Sequence, residues 1–214
     1  MPPPPHLVPP ALGELEAYLH ADDGTPPLVR IALTHAQFET IHPFLDGNGR
    51  VGRLLITFLL TEQGILGKPV LYLSHYFRRH RQRYFEHLQA VRETGAWEAW
   101  LRFFLQGVIE VADEAVETAR RILVLREDHR LRITAHLGRG AGSGHKVLEA
   151  LYDRPIMSIA DIAALTGTTY QSANLLTKRL VDVGILREIT GQARHRRFQY
   201  APYVQLFTEQ VPGE

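Results

Sequence analysis

The sequence predicts a mainly α-helical protein of two small domains, the second of which combines a helix-turn-helix with a β-hairpin. Apolar residues recur at helical spacing through most of the chain, a glycine-dense run occupies 138–144, and two short strand-like segments follow it. A chain of 214 residues that is 45% hydrophobic can bury a sizeable core and can form one or two domains.

The first half of the chain predicts helices at about 11–20, 28–41 and 50–63. The third of these is apolar on most sides, so we expect it to be the buried centre of the first domain. We interpret His35, within the second predicted helix, as a structural residue.

Trp97 and Trp100 are three residues apart, next to further apolar residues, and this spacing favours packing in a helical core over an aromatic ligand box. A charged amphipathic helix is predicted at about 110–136, and it could join the domains or pair with a second copy of the chain. The glycine-dense run is typical of a flexible boundary. We therefore predict a first domain at 1–137, a linker at 138–144 and a second domain at 145–214.

The second domain is predicted to contain, in order, a helix at 146–152, a helix with a capping-box start at Ser158–Asp161, a helix at 169–183, and strands at 185–189 and 197–200. This order resembles a winged helix. If the module binds DNA, the side chains facing base edges would be Thr169, Tyr170, Gln171, Ser172 and Asn174. The side chains meeting phosphates would be Lys178, Arg179, Arg194, Arg196 and Arg197. The alternative is a scaffold that positions or dimerises the first domain, since fold resemblance alone does not indicate DNA binding.

The segment 42–53, His-Pro-Phe-Leu-Asp-Gly-Asn-Gly-Arg-Val-Gly-Arg, brings the groups that handle a nucleotide triphosphate into one turn before a helix. Gly47, Asn48 and Gly49 tolerate positive φ and leave room for their amides to converge on an anion at the helix N-terminus. Arg50 and Arg53 are three residues apart, so they share a helix face where guanidinium groups can grip phosphate oxygens.

Two further residues of the same turn have the chemistry of a transfer reaction. Asp46 is placed to hold Mg²⁺, which takes one or two protein carboxylates and completes its coordination with phosphate oxygens and water. His42, largely neutral at pH 7, can accept a proton from an attacking hydroxyl and is the candidate general base.

Two other interpretations of this glycine-rich turn are excluded by counting. A calcium loop starting at Asp46 needs an oxygen ligand, glycine and glutamate where the chain has Arg50, Val51 and Thr57. A Walker loop needs a lysine and a hydroxyl residue after its last glycine, a pattern that the chain lacks. A plain helix cap would need neither His42 nor the paired arginines.

The segment resembles the Fic-domain signature H-x-F-x-[DE]-G-N-G-R-x-x-R, with every specified position filled from His42 to Arg53, and the resemblance covers most of 5–125. It implies transfer of AMP from ATP to a Ser, Thr or Tyr hydroxyl of a target protein, with His42 as base and Asp46 as Mg²⁺ ligand. Gly49 favours nucleotidyl transfer, since the family's kinase-like branch carries lysine there. Phe85 and Arg92 fall where relatives contact the base or ribose.

The sequence also departs from the family pattern. In the family, two helices and a β-hairpin flap that docks the target come before the stretch that 8–20 resembles. We expect these elements to be missing from this chain. No segment matches the family's inhibitory helix, [ST]-x-x-x-E-[GN], in full. The chain is therefore either an unrestrained or an N-terminally incomplete enzyme, and we favour the second.

Charge and composition limit the classes of partner. With 24 Lys+Arg against 23 Asp+Glu there is no global basic field for nucleic acid or membrane. Zero cysteines exclude disulfides and thiol chemistry and fit a cytoplasmic protein. No stretch approaches the roughly 18 apolar residues of a membrane span, so we expect no membrane partner.

Three functions stay open from the sequence. The first is a Mg²⁺-dependent protein adenylyltransferase. The second is an inert truncated Fic protein that acts as a DNA-binding or protein-interaction module through its winged helix. The third, removal of AMP from a modified target, uses the same loop with a positioned water.

Overall fold

A computed structural model describes residues 3–66, 73–192 and 194–208. The chain divides into two compact units, Met1–Ala115 and Val116–Glu214, and one long helix contributes to both. None of the helices in these described ranges is long and apolar enough to cross a membrane.

The first unit is helical throughout its described elements. They are α1 (Val8–His20), α2 (Pro27–Ile41), α3 (Asn48–Glu62), α4 (Leu73–Arg79), α5 (Arg81–Thr94) and the first part of α6 (Trp97–Leu137). Prolines occupy the first turns of α1 and α2, where the missing amide has no intrahelical partner to lose and the fixed φ suits a helix. Both helices therefore start earlier than the sequence pattern predicts.

The core of the first unit forms where aromatic side chains from α4, α5 and α6 meet α2 and α3. Its largest fully buried side chains include Tyr76, Trp100 and Phe104, which pack with Ile31 and Ile56. The indole N–H of Trp100 donates to the carbonyl of Ala32 at 2.9 Å, so burial leaves it satisfied. Core packing is confirmed for Trp100, whereas Trp97 is 36% exposed.

Helix α3 is not the buried centre that its composition predicts. Its buried positions are Asn48, Gly52, Ile56 and Leu60, which follow one another at four-residue spacing on a single face. Leu54 and Phe58 on other faces are 50% and 61% exposed. The prediction is wrong because a helix that is apolar all round is buried only when neighbours cover every side, and here the packing covers one.

The second unit contains helices around a small sheet. After the end of α6 come α7 (Ala141–Asp153), β1 (Ile156–Ser158), α8 (Ile159–Thr166), α9 (Tyr170–Asp182), β2 (Arg187–Glu188), β3 (Arg197–Gln199) and α10 (Ala201–Thr208). The sheet is antiparallel in the order β1-β3-β2, with Met157 opposite Phe198 and Glu188 opposite Phe198. The strand β1 and the helix α10 have no counterpart among the sequence predictions.

The capping-box prediction for α8 is confirmed. The Ser158 hydroxyl accepts from the Asp161 amide at 3.2 Å, and the Asp161 carboxylate accepts from the Ser158 amide at 2.8 Å. Helix α9 begins at Tyr170, one residue after the predicted start at Thr169, whose side chain accepts from the Ser172 amide.

The division between the units differs from the predicted linker. The break lies between Ala115 and Val116, inside α6, while 138–140 form a 3₁₀ turn and α7 starts at Ala141. At Gly144 an added Cβ would lie 2.8 Å from Leu137 Cδ2 and 3.0 Å from Ile133 Cγ2. Glycine here permits close helix packing instead of flexibility, so the glycine run is misleading as a boundary signal.

Candidate functional site

The turn between α2 and α3 holds the motif, and it begins at His42. This residue ends α2 with φ 51° and ψ 58°, the left-handed region that few non-glycine residues adopt, and its amide donates to the Phe38 carbonyl at 2.9 Å. The left-handed conformation turns the chain out of the helix. The imidazole is exposed, so His42 is accessible to a substrate.

Asn48 fixes the shape of the turn. It is 2% exposed, its Oδ1 accepts from the Phe44 amide at 2.9 Å, and its Nδ2 donates to the Phe44 carbonyl at 2.6 Å. A buried carboxamide with both ends satisfied holds four residues of loop in one conformation. The side chain of Asn48 therefore fixes the conformation of the turn, a role that the sequence pattern does not reveal.

Gly47, Asn48 and Gly49 form the predicted anion cradle at the N-terminus of α3. Gly47 has φ 86°, and its carbonyl accepts from the amides of Arg50 and Val51 at 3.0 Å each. Within residues 3–66 the amides of Asn48 and Gly49 have no such acceptor. Two open amides at the positive end of a 15-residue helix attract an anion.

Asp46 and Arg50 lie at the rim of the cradle. Their side chains are 94% and 77% exposed and form an ion pair of 3.3 Å, while Asp46 Oδ1 also accepts from the Gly47 amide at 2.7 Å. A pair this exposed contributes little to stability. Both side chains are therefore free to exchange this contact for a phosphate or a cation.

Arg53 lies deeper, against a buried polar network. An added Cβ at Gly49 would be 3.2 Å from Arg53 Nη1, so glycine at that position leaves room for the guanidinium. Behind it, His35 Nδ1 lies 3.0 Å from the Gly52 carbonyl and His35 Nε2 lies 2.8 Å from the Tyr84 hydroxyl. The guanidinium group of Arg53 therefore lies on the side of α3 that faces α2 and α5.

The proton positions in this network follow from its chemistry. Burial lowers the pKa of His35 to about 4, so the ring is neutral at pH 7. A carbonyl can only accept, so Nδ1–H donates to Gly52 and the Tyr84 hydroxyl donates to Nε2. Burial raises the pKa of Tyr84, and the charge of Glu39 adds to the rise. The structural role that the sequence predicts for His35 agrees with this burial and bonding.

Glu39 is a further residue of the site that the sequence motif does not indicate. This residue of α2 is 6% exposed, and burial raises the pKa of its carboxyl against the opposing charges of His42, Arg53 and Arg92. The sequence signal for it is the presence of a carboxylate in the last turn of α2, shortly before His42.

Phe85 and Arg92 both lie on α5. The Phe85 ring is 54% exposed and makes an edge contact with Tyr84 at 5.2 Å between centroids. Arg92 Nη2 donates to the Glu39 carbonyl, and its Nε lies 3.4 Å from the Thr40 hydroxyl. The guanidinium therefore already binds the end of α2, next to His42.

The candidate DNA-binding residues of the second unit are only partly available. Gln171 and Lys178 are exposed on α9, and Thr169 is exposed at its N-cap. Arg179 Nη1 donates to the Leu137 carbonyl at 3.3 Å, and Arg196 pairs with Glu188 at 2.8 Å. The structure therefore uses two of the predicted phosphate contacts inside the unit.

No group of three or more metal-binding side chains (His, Cys, Asp or Glu) occurs within 3–66, 73–192 and 194–208. A cation bound by Asp46 would therefore need further ligands from a bound substrate. This fits Mg²⁺, which commonly combines one or two protein carboxylates with phosphate oxygens and water.

Comparison with known proteins finds similarity over the first part of the chain. Residues 1–60 match the model of the Fic/DOC family. A probable protein adenylyltransferase of Aquifex aeolicus is 35% identical over 92 residues, which are 43% of this chain and 26% of that protein. The protein adenylyltransferase Fic of Culex quinquefasciatus is 34% identical over 105 residues, which are 45% of this chain and 20% of that protein.

A solved structure is similar in fold over most of the chain. A Fic family protein from Desulfovibrio desulfuricans superposes with a TM-score of 0.52 at 22% identity, over 94% of this chain and 57% of that one. At this identity the match establishes a shared fold. The matches to the two adenylyltransferases span about a quarter or less of those proteins.

Proposed function

We propose, from the premise that residues 1–60 belong to the Fic/DOC family, that this chain is a protein adenylyltransferase, a nucleotidyltransferase that moves AMP from ATP to a protein. The acceptor is a Ser, Thr or Tyr hydroxyl of a target protein, and pyrophosphate is released. The observation that carries the proposal is the turn itself, where an exposed imidazole faces solvent next to two open amides and two arginines.

The residues of the turn divide the reaction between them. His42 takes the proton of the acceptor hydroxyl as its oxygen bonds to the α-phosphorus, and the bond from that phosphorus to pyrophosphate breaks. The amides of Asn48 and Gly49, with Gly47 shaping the turn, stabilise the negative charge on phosphate oxygens. Arg50 and Arg53 bind the outer phosphates.

Asp46 is the residue that would hold Mg²⁺. When bound there, the ion would neutralise phosphate charge. Arg50 would then exchange its contact with Asp46 for the phosphates, which is inexpensive because that pair is exposed.

Phe85 and Arg92 are proposed to contact the nucleoside. Phe85 presents a half-exposed ring on which a base can stack. Arg92 binds the end of α2 and can reach a ribose hydroxyl only with part of its guanidinium.

The test uses the 214-residue chain with Mg²⁺ and ATP labelled at either the α or the γ phosphate, beside a cell lysate as a source of target. We expect label to reach protein from the α position only, and His42→Ala to reduce transfer by at least about 100-fold, the usual contribution of a general base. His20→Ala, a second exposed histidine at the end of α1, is the matched control and should transfer normally.

Either of two results would contradict the proposal. Label transferred from the γ position would indicate a kinase. Absence of transfer from both positions would favour the alternative of an inert Fic protein whose second unit binds DNA or protein.

For the second unit we infer a winged helix whose work is to recruit a target or to dimerise the chain. Support comes from the order of α7, α8, α9 and the β2–β3 hairpin. Exposed Val116 and Leu123 lie seven residues apart on α6, a spacing that places both on one face for a second copy. Val116→Glu should lower the fraction of homodimer in sedimentation equilibrium, while Ala135→Glu, at an exposed position on the opposite side of the seven-residue repeat, is the control for added charge.

DNA binding is the second candidate for this unit, because the first turns of α9 expose Thr169 and Gln171. Salt-dependent binding of a duplex that is weakened about tenfold by Lys178→Glu and spared by Lys146→Glu would support it. No binding at low salt would exclude it. We also propose a cytoplasmic location, which the absence of cysteine favours.

A further inference from the structure

A wide cleft in the second unit is lined mainly by polar side chains. Its volume is about 1090 Å³, slightly above the range of about 300–1,000 Å³ that is typical of small-molecule sites. One wall is the C-terminal end of α6 with the turn that follows it, and the other is the C-terminal end of α9 with its own turn. We name it the arginine cleft, because Arg132, Arg139 and Arg179 line it.

Two of the three arginines connect the walls of the cleft. Arg132 of α6 donates to the Val183 carbonyl at 3.4 Å and pairs with Asp128 at 2.7 Å. In the other direction, Arg179 of α9 donates to the Leu137 carbonyl at 3.3 Å. Cations are favourable at helix C-termini, where carbonyls lack intrahelical donors. These contacts explain two of the guanidinium groups, and they leave several N–H donors of each group unused.

The capping of helix ends does not explain Arg139. This residue lies in the turn after α6 and is exposed, and it has no hydrogen bond or ion pair with any residue that the structure describes. The same holds for His136, in the last turn of α6. Among the described residues that line the cleft, Asp182 alone is acidic. Guanidinium groups that share a cleft repel one another, so an anion bound between them is stabilised.

The arginine cleft is separate from the surface that is the candidate for DNA. Helix α9 has 13 residues, so its two ends are about 20 Å apart. Thr169 and Gln171 lie at the start of the helix, whereas Arg179 and Asp182 lie in its last turn. Base contacts from the start of α9 would therefore leave the cleft unused, which favours a different ligand for it.

We propose that the arginine cleft binds a small anion with two or more linked phosphates, such as inorganic pyrophosphate or the phosphate chain of a nucleotide. Guanidinium forks bind phosphate oxygens through paired N–H bonds, and three of them suit a multiply charged anion better than a single carboxylate. The ring of His136 supplies a further N–H donor. The site lies in the second unit and does not rest on the proposed transfer reaction at His42.

Amide NMR of the 214-residue chain during titration with pyrophosphate tests this proposal. The amides of Gly138 and Gly184 report on the cleft, whereas the amide of Gly49 reports on the cradle, so binding at the two sites is measured separately. We expect the signals of Gly138 and Gly184 to shift in a saturable manner at millimolar pyrophosphate or below.

Arg139→Gln should weaken binding at the cleft by about tenfold, the equivalent of one charge-assisted hydrogen bond. The response of Gly49 should not change. Because Arg139 is exposed and makes no contact of these kinds with the described residues, the variant should fold normally. Arg154→Gln removes an exposed arginine of the same unit that lies outside the cleft, and this matched control should bind as the wild type does.

Parallel titrations with ATP and with a short DNA duplex identify the source of the phosphates. Equal affinities for ATP and pyrophosphate would show that the phosphate chain is what the cleft recognises, and tighter binding of ATP would show that the nucleoside also contributes. The proposal would be overturned if neither small ligand shifts Gly138 and Gly184 saturably, if only the duplex does so, or if Arg139→Gln binds as tightly as the wild type. A chain that binds pyrophosphate in the cleft but transfers no AMP would count against the proposed function alone.

Discussion

At the scale of single residues, His35 ties the motif helix to the rest of the first unit. It is fully buried and joins the Gly52 carbonyl to the Tyr84 hydroxyl. A protonated ring could not accept from Tyr84, so the network requires the neutral form. The geometry of the cradle therefore depends on the protonation of a residue outside the motif.

This dependence predicts a pH effect on stability. The pKa of His35 falls from 6.5 to about 4 on folding, so the folded state binds fewer protons than the unfolded state between these values. Its contribution to stability is full above pH 6.5 and is lost as pH falls towards 4, with a slope of up to about 1.4 kcal/mol per pH unit.

The measurement is urea unfolding followed by tryptophan fluorescence, since both tryptophans, Trp97 and Trp100, belong to the first unit. His35→Gln should lack this part of the pH dependence. Glu39 acts in the opposite direction, because its raised pKa makes stability fall as pH rises above 4.5. The difference between wild type and variant isolates His35, and identical slopes would contradict the prediction.

The sequence predicted which residues of the turn could carry chemistry, since residue type and order are enough to recognise imidazole, carboxylate and guanidinium groups. It did not show that Asn48 clamps Phe44 or that Glu39 lies under the cradle. Both depend on burial, which a side chain acquires only when other elements cover it.

At the scale of elements, the site depends on how closely α2 and α3 approach. Gly52 faces α2 so tightly that an added Cβ would also be 3.2 Å from His35 Cε1 and from Phe38 Cδ1. Glycine is unfavourable in the interior of a helix, so the glycine at position 52 reflects packing and not helix propensity.

Gly52→Ala should therefore separate the two helices and lower the free energy of unfolding by about 1–3 kcal/mol, the range typical of overpacking. The affinity for ATP, measured by calorimetry, should also fall in this variant. Gly13→Ala is the matched control: Gly13 lies inside α1 with nothing within 4 Å of an added Cβ, so the change should stabilise by about 0.5–1 kcal/mol. Equal effects of the two substitutions would refute the packing argument.

Helix starts that carry a capping side chain were predictable, because capping residues act locally. Ser158 and Thr169 are examples, since each satisfies amides of its own helix. The strand β1 was not predictable, because three residues become a strand only by pairing with β3, about forty residues later in the chain.

At the scale of the whole molecule, each unit has its own hydrophobic core. Ile56 belongs to the core of the first unit, and Leu148 to the core of the second, where it packs with Val147, Leu151 and Phe198. Separate cores predict that damage to one unit is felt mainly in that unit.

Leu148→Ala should cost about 2–5 kcal/mol and lower the transition of the second unit in calorimetry, with little change in the tryptophan-monitored transition. Ile56→Ala should do the reverse. A single transition that moves equally in both variants would show that the units unfold together.

The sequence by itself determined the helical character of the chain and the residue types gathered in 42–53, since these follow from composition and local spacing. Tertiary structure alone decided that α3 is covered on one face, that the glycines near 138–144 form helical packing, and that Glu39 and His35 lie behind the cradle. The physical reason is that burial, close approach and the pKa of a buried group depend on neighbours distant in sequence.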